Sequence, residues 1–428
     1  MALAQLKTDA TEARLAGAVL PEAAAWANEA RASALARVRQ MGLPTKRDEY
    51  WKYTDPTTLT AVDAPEAALF VNDEGPLFAD VDRLRIVFVD GVFDPEASDD
   101  LQSEGVEVER LSDAMQADIH WVKDIYGVLE ARGQKPVERP LAALNTALAT
   151  DGIVIRATAK VTKPINFIYL HQDVASDAVL HNVGKVVAGA EVTLLETGPA
   201  AARFSKQLEV DVAEGGTFHH VRAQGRDHER RAITHCFARI AANSSFKSFT
   251  LTFNGVLTRN ECVLEIMGDD AVAHVAGACV GDGKDFHHDD TVFVTHDAVN
   301  CESRQVFKKV LRNGATGVFQ GKILVKEGAQ KTDGYQISQS LLLDDDSQFQ
   351  AKPELEIYAD DVACSHGSTS GAIDETALFY LRSRGVALAD ARNLLTLSFL
   401  AEALDEIEDS TLADALRDRL EGWLARHS

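Results

Sequence analysis

The chain has 428 residues, 46% of them hydrophobic, and a formal net charge of −23 with a pI near 4.9. That length supports two or three domains, or one extended architecture around a large core. The acidic balance argues against nucleic acid and anionic membrane as partners, because phosphate binding needs clustered Lys and Arg.

The opening residues MALAQLKTDATEARLAGAVL lack the basic start and apolar core of a signal peptide, and Asp9 and Glu12 are foreign to a transit peptide. No run of about 18 apolar residues occurs anywhere, so the expectation is a cytoplasmic protein without a membrane span. Pro21 starts a helix over 22–41 that is rich in Ala, Glu and Arg, and Gly42 and Pro44 end it. The polar–aromatic loop from Gly42 to Thr54 follows, and its Tyr50, Trp51 and Tyr53 are expected to staple that helix to the body. Residues 1–84 thus read as an N-terminal helical region. Short strand-like runs fill 85–110, such as Arg85 to Val89 before Asp90-Gly91. Helices are expected over 118–132 and 140–150, the second opened by Pro140 and closed by Gly152.

From Ile153 to about Leu343 the texture changes. Runs such as Ile165 to Leu170, Glu191 to Leu195, Phe249 to Phe253, Thr291 to Val294 and Gly321 to Val325 are separated by Gly, Asn and Asp. Strands of this length at roughly ten-residue spacing indicate a mainly β body, with no long helical period to suggest a βαβ sheet. Sandwich, barrel and parallel β-helix all fit the pattern; the length of the strand region favours a solenoid, although no strict repeat is visible. The β core is assigned to 85–352, with a helical insertion near 118–150, and a C-terminal helical domain to 353–428. In that domain Asp374 is expected to cap a helix over 375–384, Asp390 one through about Ala403, and Ser410 a last one. Leu412, Leu416, Leu420, Trp423 and Leu424 form one face of the last helix, suited to packing on the β body.

The stretch with the most chemistry runs from Asp360-Asp361-Val362-Ala363 through Cys364-Ser365-His366-Gly367. It is expected to be a polar turn before a helix, with Asp360, Asp361 and Gly367 shaping it. A thiol and an imidazole two residues apart are half of a site for iron, zinc or copper(I), the other half coming from elsewhere in the fold or from a partner. The plain alternative is a buried, inert Cys and a structural His. The five cysteines, Cys236, Cys262, Cys279, Cys301 and Cys364, are odd in number, widely spaced and free of CxxC, so reduced thiols are expected, the first four packed in the core. His287-His288-Asp289-Asp290 has the composition of a metal cluster, but in a strand neighbouring side chains diverge, and a polar turn is expected. Asp344-Asp345-Asp346 reads as a solvated turn, lacking the glycine of a calcium loop. Walker A, GxSxG and HExxH sequences are absent.

Several of these stretches carry a resemblance. Phe319 to Val325, Ala329 to Gln336, Leu341 to Leu343, Pro353 to Ile357, Asp360 to Gly367 and Leu378 to Val386 resemble the SufB/SufD family of iron–sulfur cluster assembly scaffolds. The Gly42-to-Thr54 loop, His287, Asp289, Thr291, His296, Ser303, Gln305 and Lys308 fit the same family. Within it, Cys-Ser-His-Gly resembles the SufD branch, and Ser338 stands where SufB-type chains carry a cysteine.

The resemblance implies a right-handed parallel β-helix flanked by N-terminal and C-terminal helical domains. It implies a non-catalytic scaffold working with a SufB-like subunit and a SufC-like ATPase, and a homodimer when alone. SufC is then expected on the C-terminal helices and SufB at the end of the β-helix. His366 matches a histidine at that interface, so His366, and after it Cys364, are the candidate contacts for iron or a transient cluster. A reduced flavin is associated with such complexes, with no residue here assigned to it. Two other readings remain: a structural partner that never touches iron, and a β-helix polysaccharide-cleaving enzyme using carboxylates such as Asp289 and Asp290.

Overall fold

A computed structural model of the chain describes residues 2–69, 75–225, 229–253 and 255–427. β-Branched and aromatic residues recur at alternate positions from Ile153 onward, and the chain forms strands there, most of eight to eleven residues. Each strand pairs in parallel not with the next strand in sequence but with the next but one. Two ten-stranded sheets result, visited alternately. This is a parallel β-solenoid, and it settles the choice that the strand pattern left open.

Thr217, Ser245, Val272, Glu302, Asp333 and Ala363 occupy one register column, at intervals of 28, 27, 30, 31 and 30 residues. The wandering interval explains why no repeat is visible in the sequence. Inward positions fill the interior: Ile153, Leu194, Phe218, Phe246 and Leu264 are fully buried in one continuous cluster.

The two outer faces are covered by different ends of the chain. The helices Ala25–Met41 and Pro140–Leu148 lie over one sheet, where Val38, Leu141 and Ala143 meet Ile233 and Leu257. The helices Leu388–Leu404 and Ser410–Arg426 cover the other, where Leu400, Leu416, Leu420 and Trp423 meet Val221, Phe249 and Leu251. The apolar face of the last helix therefore packs on the β body, as its spacing predicts.

Four local expectations are corrected. The helix over 118–132 is two short pieces, Trp121–Asp124 and Val128–Arg132, because Gly127 between them takes φ 69°. Residues 287–290 are not a turn but the start of the strand His287–His296. The solenoid runs past 352 through the strands Gln348–Ile357 and Ala363–Gly371, so the C-terminal helices begin only at Glu375. The caps also differ in part. Asp374 caps as expected, but Asp390 lies inside its helix, and Asp409 rather than Ser410 accepts the N–H groups of Thr411 and Leu412, at 2.8 and 3.2 Å. Asp409→Ala is therefore expected to cost about 1 kcal/mol in urea unfolding, and Ser410→Ala only a few tenths. Equal effects would contradict the capping assignment.

No helix among the described residues is long and apolar enough to cross a membrane.

Candidate functional site

Ala363–Gly371 is rich in Ser and Gly, and Thr369 is its one residue of a kind that favours strands. It becomes a strand because the preceding coil offers it an edge. The turn before it is tied down from below: the Lys331 N–H donates to the Asp361 carbonyl at 2.5 Å, and Gln330 Oε1 accepts the Asp361 N–H at 2.9 Å. The Ala363 N–H then donates to the Thr332 carbonyl at 2.8 Å, and pairing with Asp333–Leu342 follows. The Cys-Ser-His-Gly sequence is thus not a turn before a helix. Asp361 shapes the turn, whereas Gly367 lies in the strand, where a side chain would meet nothing closer than Ile337 at 4.0 Å.

Strand alternation puts Cys364, His366, Ser368 and Ser370 on one face. That face is the inward one. Cys364 packs with Ile323, Val325 and Leu355. Ser368 and Ser370 hydrogen-bond Ser338 and Ser340 of the coil beneath, at 3.1 and 2.7 Å. Ser338, in the place of the SufB-type cysteine, is thus buried in the stack. His366 stands over Gln336 in the same register and is nevertheless exposed, because no further coil covers it. Burial pushes the Cys364 thiol above the usual thiol range, so near neutral pH it keeps its proton.

The facing wall of this open last coil is the strand Gln348–Ile357. Its inward residues Phe349, Ala351, Pro353 and Leu355 stack over Gly317, Phe319, Gly321 and Ile323. Gln336 forms the floor, donating to Gln305 Oε1 at 2.7 Å. Gly321 leaves it room, since a Cβ there would collide with the Gln336 amide. The sequence reading assigns Gln336 and Gln305 no role; their inward parity is visible only once the register is known.

Both terminal strands pair on one side only, so the last coil shows two unsatisfied backbone edges. Its outer wall is buttressed by the Gly42-to-Thr54 loop, from about 300 residues away in sequence. Tyr50 Oη donates to Glu354 at 2.6 Å, and Lys352 Nζ reaches Glu49 at 2.7 Å and lies 3.8 Å over the Tyr50 ring. Further in, the guanidinium of Arg259 stacks on Trp51, donates to the Tyr50 carbonyl, and pairs with Asp289 and Glu261. The aromatic loop does staple, but onto the solenoid strands.

The His287–Asp290 run does not converge on anything. His287 faces outward to Thr54 at 2.9 Å, and His288 faces inward to Lys309 at 2.8 Å. Asp289 is held by Arg259 outside and Asp290 by Lys309 inside, so these two carboxylates cannot flank one glycosidic bond. Among the described residues no three His, Cys, Asp or Glu side chains gather to hold a metal. Cys364 and His366 are a thiol and an imidazole on one face of one strand, with no third such group beside them among the described residues.

Comparison with known families and proteins agrees with this picture. Residues 170–399 match the model for the SufBD core domain of the SUF system of FeS cluster assembly, and residues 16–167 match the SufBD N-terminal region. The chain is similar to the iron–sulfur cluster assembly protein SufD of Escherichia coli, 27% identical over 90% of each chain. It is similar to a SufBD family protein of Synechocystis, 29% identical over 88% of this chain and 86% of the relative. To SufD of Bacillus subtilis it is 24% identical, over 90% of each.

Proposed function

Because the chain belongs to the SufBD family of iron–sulfur cluster assembly proteins, we propose that it is a SufD-type scaffold subunit whose open last coil completes a cluster-building site with a SufB-like partner. The observation that carries this reading is the placement of Cys364 and His366. They share one face of the last strand, at an end of the solenoid where the backbone is unpaired on both walls.

A partner that adds its own strand to these edges satisfies their N–H and C=O groups and brings its side chains over His366. A neutral imidazole is a competent iron ligand, and mixed Cys/His ligation at a separable interface holds a cluster that must later leave. The cluster is cargo, and no reaction chemistry of this chain's own is invoked. The same edges let the isolated chain pair with a second copy.

The ATPase partner, SufC-like, is assigned to the C-terminal helices. Phe379, Tyr380 and Leu394 are 73, 54 and 50% exposed there, an apolar set on the helices Glu375–Ser383 and Leu388–Leu404 that the solenoid does not cover. Closure of two such ATPases on ATP would shift the two scaffold subunits relative to each other and gate the site.

The test is co-purification with SufB-like and SufC-like partners, wild type against His366→Ala, followed by anaerobic reconstitution read by visible absorbance. Both complexes are expected to assemble, and cluster formation to fall at least tenfold in the variant. Equal cluster formation would make this chain a structural subunit that never touches iron.

A further inference from the structure

The solenoid interior holds a second sulfur site that the open end does not use. Cys236 and Cys262 are direct register partners on neighbouring coils. Both point inward: Cys262 belongs to the interior cluster, and Cys236 packs against it. Three coils separate Cys262 from Pro353 on the last one, about 14 Å at the usual strand spacing.

The pair borders a small cavity of about 30 Å³, together with Lys206, Arg222 and Asn260. That is room for a water or a single ion. Two features of the cavity point to a ligand. Arg222 is buried, and its hydrogen bonds go to the hydroxyls of Thr234 (2.8 Å) and Thr250 (3.2 Å); among the described residues it has no carboxylate partner. Lys206 beside it pairs with Glu196, and the two acids that also border the cavity, Asp290 and Glu261, pair with Lys309 and with Arg139 and Arg259, so Arg222 is left without an ion pair of its own. A buried charge without a counter-charge is costly, and a negative group at the two sulfurs would offset it.

The geometry selects the ligand. In-register strands are about 4.8 Å apart. A metal held in line between two thiolates, each at about 2.3 Å, spans about 4.6 Å. No third inward-facing ligand is free: His235 also borders the cavity and neither ring nitrogen has a partner, but strand alternation turns it to the face opposite Cys236. His220 uses Nε2 on Glu196 and Nδ1 on Ser248, at 2.9 and 3.0 Å, and Asp290 is taken by Lys309 and Asn260. Zinc and iron need about four ligands, whereas soft Cu(I) accepts two sulfurs.

We propose that Cys236 and Cys262 are the two ligands of a linear site for one soft monovalent cation, Cu(I), inside the solenoid. On binding, both thiols release their protons to solvent and the S–Cu–S unit carries one negative charge, which faces Arg222 and Lys206. The metal forms two bonds to sulfur and keeps its oxidation state.

The test is anaerobic titration of the reduced full-length chain with Cu(I) against a chromophoric chelator, with X-ray absorption at the copper edge. Wild type is expected to take one tight equivalent with two sulfur neighbours. Cys236→Ala and Cys262→Ala should each lose at least 100-fold in affinity, and Cys279→Ala, a buried thiol outside the pair, should lose none. The proposal falls if wild type takes up no tight equivalent, if that equivalent survives both interior substitutions, or if it is lost in Cys279→Ala. Should the interior variants fail to fold, the wild-type spectrum decides alone: three or more ligands, or nitrogen or oxygen neighbours, overturn it.

Discussion

Arg259→Met is expected to destabilise the chain by about 3–5 kcal/mol, the cost of leaving a buried carboxylate without its cation. Arg259 is 1% exposed and joins five partners: Asp289, Glu261, the Tyr50 carbonyl, the Trp51 ring and, through Asp289, Thr54. Burial alone would raise the carboxyl of Glu261, but Arg259 and Arg139 outweigh it and hold it at about 2. After the substitution Glu261 keeps Arg139, whereas Asp289 keeps only neutral donors such as Thr54 and Gln320. The aromatic loop loses its anchor at the same time. Against a typical total of about 5–15 kcal/mol, this is a large fraction. Urea unfolding measures it, and a loss under about 1 kcal/mol would refute the argument. Adding Asp289→Asn should restore part of the loss, since the stranded charge is then gone.

Acid should unfold the chain well before its carboxylates titrate. Burial lowers six histidines, and four of them far: His220, His235 and His296 to about 4, and His288 to about 3. Their unfolded value is near 6.5. Between these values the unfolded chain binds more protons, so stability is full above about pH 6.5 and is lost as pH falls toward 4. Each group contributes on the order of 1–2 kcal/mol by pH 5. The thermal midpoint should drop by about five degrees or more between pH 7 and 5. His296, whose Nε2 meets Ser303 at 2.8 Å, gives the control: His296→Gln should flatten the profile. A midpoint unchanged over that range would sink the account.

The strand texture from Ile153 to Leu343 was legible because alternation survives wherever one face is buried. The apolar face of the last helix was legible for the same reason. The Ala363–Gly371 strand was not: its residues prefer turns, and only the edge of the preceding coil makes it extended. The solenoid itself was left open by periodicity, since coil length varies from turn to turn. Cys364 and His366 stood out from their chemistry, but their common inward face required the register. The Cys236–Cys262 pair was invisible for the opposite reason: 26 residues of ordinary spacing separate two thiols that share a rung. The five partners of Arg259 likewise span residues 50 to 289, a distance over which no local pattern operates.

The two ends of the solenoid are closed to different degrees. At one, the sheets finish in the antiparallel scraps Val92–Asp94 and Gln102–Ser103, too short to template another chain. At the other, ten-residue Gln348–Ile357 and nine-residue Ala363–Gly371 stand bare, with Pro353 as the one position that withholds a donor. A rod with two growing ends polymerises without limit; a rod with one can only meet another and stop. The short strands at the start of the solenoid therefore act as chain terminators: a second chain that adds to the open end meets no further edge beyond it, and growth stops short of a fibre.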